Sequence, residues 1–150
     1  MKRKAIIISI SGTKLSLKER NLIRKYKPWG IILFKRNLLK LNQIKKLTND
    51  IRDSIKDRNY PILIDEEGGS VSRLSNILDN SQFSQKFFGK MLEKNPTIAL
   101  KIFKNFNLKI INTLKQIGIN INTVPVLDIL YPKTSKILKT RCYSKKINII

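Results

Sequence analysis

The 150-residue chain has no histidine, one cysteine (Cys142), and only 10 acidic residues against 31 lysines and arginines. Without an imidazole the chain holds no Ser-His-Asp or Cys-His arrangement, no histidine metal ligand and no histidine acid/base. A single cysteine excludes an internal disulfide framework and a cysteine-based zinc cluster. Long apolar runs are missing too: nowhere do 18 apolar residues follow one another, so no transmembrane helix is expected. Met1-Lys2-Arg3-Lys4 followed by Ala5–Ile10 imitates the charged and apolar regions of a signal peptide. That run is short, contains Ser9 and lacks a small-x-small cleavage site, so a buried first strand and a cytoplasmic location are expected.

What is present supports a folded chain. Hydrophobic residues make up 41% of it, enough for a core. A single domain is the default at this length and buries roughly 68–70% of its unfolded surface. The net charge of +21 has two readings. One is attraction to nucleic acid or to an anionic glycan or surface. The other is codon bias, because Lys (23), Ile (25) and Asn (14), all encoded by A/T-rich codons, together fill 62 positions. The lysines run from Lys2 to Lys146 without a block of five or six, and no RNA-recognition, zinc-finger or basic-zipper signature occurs. Codon bias is the better account, and no specific nucleic-acid partner is expected.

Strand-length apolar runs alternate with helical periodicity. Ala5–Ile10 predicts a strand covered on both faces. Ser16-Leu17-Lys18-Glu19 is a capping box that opens a helix to about Tyr26, ended by Pro28-Trp29-Gly30. Gly30–Phe34 predicts a second strand. Ile44, Leu47, Ile51 and Ile55 share one face of a helix beginning near Asn42. Ile62–Asp65 predicts a third strand, followed by an irregular stretch from Glu66 to about Asn95. Asn95-Pro96 caps a long helix through Ile117, stopped by Gly118. Ile119–Leu127 predicts a fourth strand ending at Asp128, and Ser144 has the look of an N-cap with too few residues after it for a helix. Strand–helix–strand repetition of this kind builds a parallel α/β sheet.

Polar clusters fall at the predicted strand ends, where parallel sheets and barrels build their sites. They are Lys35-Arg36-Asn37, then Asp65-Glu66-Glu67-Gly68-Gly69 with Arg73, then Asp128 with Arg141. In an extended chain Asp65 and Glu67 share a face about 6.6 Å apart, near an inverting glycosidase's carboxylate spacing, but any D-x-E on a strand does the same. Taken alone, Glu66 and Glu67 read as solvated or lysine-paired, and Arg73 and Arg141 as surface residues. Asp65 differs, because it closes an apolar strand where an unpaired charge is costly. Gly68-Gly69 offers positive φ or close backbone approach to a ligand, without a nucleotide-binding pattern. No carboxylate spacing indicates a metal. Cys142 and Phe83, Phe87, Phe88, Phe103 and Phe106 read as core.

Four segments in order resemble the N-terminal part of glycoside hydrolase family 3, above all its bacterial β-N-acetylglucosaminidases. They are Ser11–Ser16, Gly30–Asn37, Ile64–Arg73 (similar to D-Q-E-G-G-R-V-x-R) and Gly118–Asp128 (similar to G-I-N-x-N-x-A-P-V-L-D). The resemblance implies a partial (β/α)8 TIM-type barrel of about the first four βα units, with residues 1–150 as the N-terminal part of a truncated barrel domain. It implies that Asp65, Arg73 and Arg141 bind an N-acetylglucosamine-containing carbohydrate, with no cofactor. Glu66 stands for Gln, Ser70 for Arg, Lys139 for Gly and Cys142 for Ser in the family's motifs. A full barrel takes about 250 residues. In the family the nucleophilic aspartate, the acid/base histidine and a Lys-His pair come from later strands, so no catalytic residue is expected here. Hydrolysis then requires a C-terminal half, with a second chain or self-association as the expected partners.

Overall fold

The computed structural model describes residues 2–150. Four parallel strands form one sheet in the order β1-β2-β3-β4: β1 (Lys4–Ser9), β2 (Pro28–Leu33), β3 (Ile62–Ile64) and β4 (Ile121–Asn122). Helix α1 (Leu17–Tyr26) joins β1 to β2 and α2 (Leu41–Ile55) joins β2 to β3. Helices α3 (Gln85–Lys94) and α4 (Pro96–Gln116) lie between β3 and β4. The chain divides into two compact units: one is the chain up to Asp65 with Thr113–Thr123, the other is Glu66–Asn112 with Val124–Ile150.

The first unit holds the whole sheet. The capping box forms as expected: Glu19 N donates to Ser16 Oγ at 3.2 Å while Ser16 N donates to Glu19 Oε2 at 2.9 Å. Helices α1 and α2 both end on a lysine in the left-handed region, Lys27 (φ 48°) and Lys56 (φ 58°), where glycine is the usual choice. Strand β2 begins at Pro28, whose missing N–H is tolerated at a strand's first residue. Buried Ile31, Leu33, Ile44, Leu47, Ile51, Ile62 and Ile64 form the core between the sheet and α2. Tyr60, fully buried, donates its hydroxyl to Pro28 O at 2.8 Å; burial, aided by the charge of Asp57, pushes its pKa up to about 12 against the opposing pull of Arg3.

Strand β1 is not the doubly covered strand expected. Ile6 and Ile7 are each 47% exposed, because β1 pairs only with β2 among the described residues. The fourth strand is also shorter than expected. Three-residue β3 offers few rungs, and Pro125 has no N–H to continue the ladder. Asn120 extends the pairing by side chain instead: Ile62 N donates to its Oδ1 at 2.8 Å and its Nδ2 donates to Tyr60 O at 3.2 Å. Gly118 (φ 78°) ends α4 as expected, and Thr48 Oγ1 caps the carbonyl of Ile117 at 2.8 Å.

In the second unit, the stretch expected to be irregular contains α3. Ser84 caps it by accepting from Phe87 N at 3.2 Å. A mid-helix glycine, Gly89, lowers the helical signal, yet a Cβ there would meet Tyr143 O at 1.9 Å. Of the phenylalanines expected in the core only Phe88 is buried; Phe83, Phe87, Phe103 and Phe106 are half-buried around it, Phe103 at 4.9 Å and Phe106 at 5.2 Å, ring centre to ring centre. After Ser144 only a single 3-10 turn, Ile147–Ile149, forms.

Candidate functional site

Asp65 follows β3 directly and is half-buried in the first unit; Arg73 and Arg141 belong to the second. The strand ladder ends at Ile64, and the chain runs on without ladder pairing through Glu67. It turns at Gly68 (φ 76°) and Gly69 (φ 59°). Those glycines admit close approach of the chain's own backbone rather than of a ligand: a Cβ at Gly68 would lie 2.3 Å from Phe83 O.

The turn delivers Glu67 to Arg141. Arg141 Nε and a terminal nitrogen donate to the two carboxylate oxygens at 2.8 and 2.7 Å, a fork-on-fork pair. The Glu67 side chain is 3% exposed and that of Arg141 25%, so neither the solvated, lysine-paired glutamate nor the surface arginine of the sequence reading exists here. Burial, and then the charge of Glu67, raises the Tyr143 phenol above its ordinary value. Burial likewise raises the Cys142 thiol, whose Sγ donates to Leu138 O at 3.3 Å.

Glu66 is also buried, at 3% exposure. It accepts from Gly68 N, Arg73 N and Leu74 N and from Asn80 Nδ2. From sequence alone Glu66 reads as solvated or lysine-paired, and no sequence signal marks Asn80. At the position where the family pattern has arginine, Ser70 shares a 3.0 Å hydroxyl contact with Thr140.

The Lys35-Arg36-Asn37 cluster is structural. Arg36 donates to Ile10 O and Ser9 Oγ, and buried Asn37 donates to Ile10 O and Gly12 O while accepting from Phe34 N at 2.9 Å. These bonds tie the segment after β1 to the end of β2. Asp128 is exposed. An apolar cavity of about 210 Å³ beside Phe88, Leu92, Phe103 and Tyr143 offers little to orient a sugar. Among the described residues no three His, Cys, Asp or Glu side chains group as a metal site, and no helix is long and apolar enough to cross a membrane.

No family model matches the chain. Among curated proteins it is similar to the β-hexosaminidase of Bordetella pertussis (strain Tohama I), 27% identical over 147 residues that cover 97% of this chain and 41% of that protein. The β-hexosaminidase of Xanthomonas axonopodis pv. citri is 26% identical over 145 residues, with 97% and 42% covered. Among solved structures, NagZ from Neisseria gonorrhoeae in complex with N-trifluoroacetyl-D-glucosamine superposes with a TM-score of 0.86 at 23% identity, over 98% of this chain and 43% of that one. A glycoside hydrolase family 3 β-N-acetylglucosaminidase from Paenibacillus sp. str. FPU-7 gives 0.70 at 25% identity, over 95% and 26%. The parallel sheet with its helices is thus an α/β fold of partial (β/α)8 TIM-type barrel class, about the first four βα units. The chain is similar to the N-terminal portion of glycoside hydrolase family 3 β-N-acetylglucosaminidases, and spans about 41% of the length of the curated relatives it matches.

Proposed function

We propose that residues 1–150 form the sugar-orienting part of a retaining β-N-acetylglucosaminidase, acting on terminal N-acetylglucosamine of glycans or cell-wall fragments in the cytoplasm. Asp65 accepts hydrogen bonds from sugar hydroxyls, and Arg73 and Arg141 donate to sugar oxygens. The observation that carries this reading is the bidentate Glu67–Arg141 pair, which holds the Arg141 guanidinium at a fixed angle beside a buried carboxylate. The names of the relatives support the same substrate class.

Retaining hydrolysis needs a nucleophile and an acid/base group. The acid/base histidine implied by the family resemblance is not among these residues, which contain no histidine. In a complete enzyme of this kind the bond-breaking groups would come from a C-terminal half of the barrel.

Titration of the ¹⁵N-labelled chain with N-acetylglucosamine tests the reading. Amides of Asp65, Arg73 and Arg141 are expected to shift on binding. Asp65→Asn and Arg73→Ala are each expected to weaken binding by about 10-fold or more, the loss of a charge-assisted bond. Shifts elsewhere only, or affinities that ignore both substitutions, would overturn it.

A further inference from the structure

The stretch from Glu66 to Phe83 contains no helix and no ladder strand, so its backbone N–H groups need acceptors from elsewhere. Three of them converge on one side chain. Gly68 N and Asn80 Nδ2 donate to Glu66 Oε1 at 3.1 and 2.8 Å. Arg73 N and Leu74 N donate to Glu66 Oε2, both at 2.7 Å. Backbone bonds close the same loop on itself: Glu67 N to Val71 O at 3.1 Å, Val71 N to Gly68 O at 3.2 Å and Gly69 N to Asn80 O at 2.9 Å. Leu74, with no exposure, and Asn80, at 1%, seal the carboxylate in.

We infer that Glu66 is a positioning residue: its buried carboxylate fixes the backbone at Arg73 and thereby sets where the Arg73 guanidinium meets a sugar. All four donors named above require an acceptor, and an ionised carboxylate is acceptor-only. An amide in its place would set an NH2 group against two of those donors. Rotating the Asn80 amide relieves one opposition and leaves Gly68 N opposed. In this chain the carboxylate thus accepts from all four donors at the position where the family's motif has Gln. With Arg73 and its buried neighbour Leu74 bonded to the same oxygen, the start of the Arg73 side chain is held at both of its peptide units.

This inference rests on the reading of Arg73 as a sugar ligand, and two measurements separate the two claims. The first is amide hydrogen exchange on the 150-residue chain. Arg73 and Leu74 amides are expected to be protected in the parent chain and to exchange about 10-fold faster in Glu66→Gln. Asn80→Ala, which removes one donor and keeps the carboxylate, is the milder variant, expected to shift the same amides in the same direction by less. Unchanged rates in both variants would overturn the inference.

The second measurement is a double-mutant cycle on N-acetylglucosamine affinity. Glu66→Gln is expected to weaken binding about 10-fold with Arg73 present and to change it by less than about 2-fold in an Arg73→Ala background. Equal losses in both backgrounds would reduce Glu66 to general packing and overturn its role. A parent chain that binds no N-acetylglucosamine overturns the sugar-binding reading, and exchange alone then decides whether Glu66 fixes the Arg73 backbone.

Discussion

At Arg141 the guanidinium meets a carboxylate whose side chain is only 3% exposed, and the pair keeps two parallel bonds of 2.8 and 2.7 Å. Removing one partner of such a pair leaves a desolvated charge behind, which costs about 3–5 kcal/mol. Arg141→Ala is therefore expected to lower stability by about 3 kcal/mol in urea unfolding. Arg141→Lys recovers only part of that loss, because an ammonium cannot present the planar fork. A loss below about 0.5 kcal/mol would place the pair with ordinary exposed ion pairs. None of this partnership was legible from Glu67 or Arg141 alone. They stand 74 positions apart, and either reads as surface in a chain of +21 charge. The family resemblance singles out Arg141 and leaves its partner Glu67 unmarked.

Among the elements, α1 shows the most local determination. Ser16 and Glu19 satisfy each other's backbone groups, and Ser11 adds a further pair of bonds to Glu19 Oε1 at 2.8 and 2.9 Å. Partial burial raises the Glu19 pKa, but the hydrogen bonds from Ser16 and Ser11 outweigh it and leave it at about 2, against 4.5 for a free glutamate. A carboxyl depressed by folding stabilises the native state above its unfolded pKa, and that contribution is lost as pH falls through the folded value. Thermal stability is thus expected to decline between about pH 4.5 and 2, in part through this group. Glu19→Gln is expected to cost about 1 kcal/mol at pH 7 and to flatten that part of the profile. An unchanged profile in Glu19→Gln would contradict the assignment. Local caps of this kind are why α1 and α4 could be placed from the sequence, whereas uncapped α2 is marked by its apolar face. Helix α3 escaped because Gly89 interrupts it for a tertiary reason, the Tyr143 backbone pressed against its Cα. Strands β1 and β4 were misjudged in cover and length because both depend on neighbours, which periodicity does not report.

On the scale of the whole molecule, the parallel sheet followed from alternating strand and helix patterns, and the fold that the family resemblance implies matches that of the solved relatives. The carboxylate run after β3 stands out in the sequence, but its division of labour does not, with Glu66 tied to the Arg73 loop and Glu67 tied to Arg141. Charge turned out to carry little of the account, whereas the missing histidine carries much of it. The central claim is that these residues orient N-acetylglucosamine without cleaving its glycosidic bond. Saturation-transfer NMR on the purified chain mixed with an aryl β-N-acetylglucosaminide tests it most directly, because one experiment reads both contact and turnover. The account predicts transfer to the sugar-ring and N-acetyl protons, with the anomeric signal unchanged over hours. Absence of transfer, or steady conversion of the anomeric signal to free N-acetylglucosamine, would contradict it.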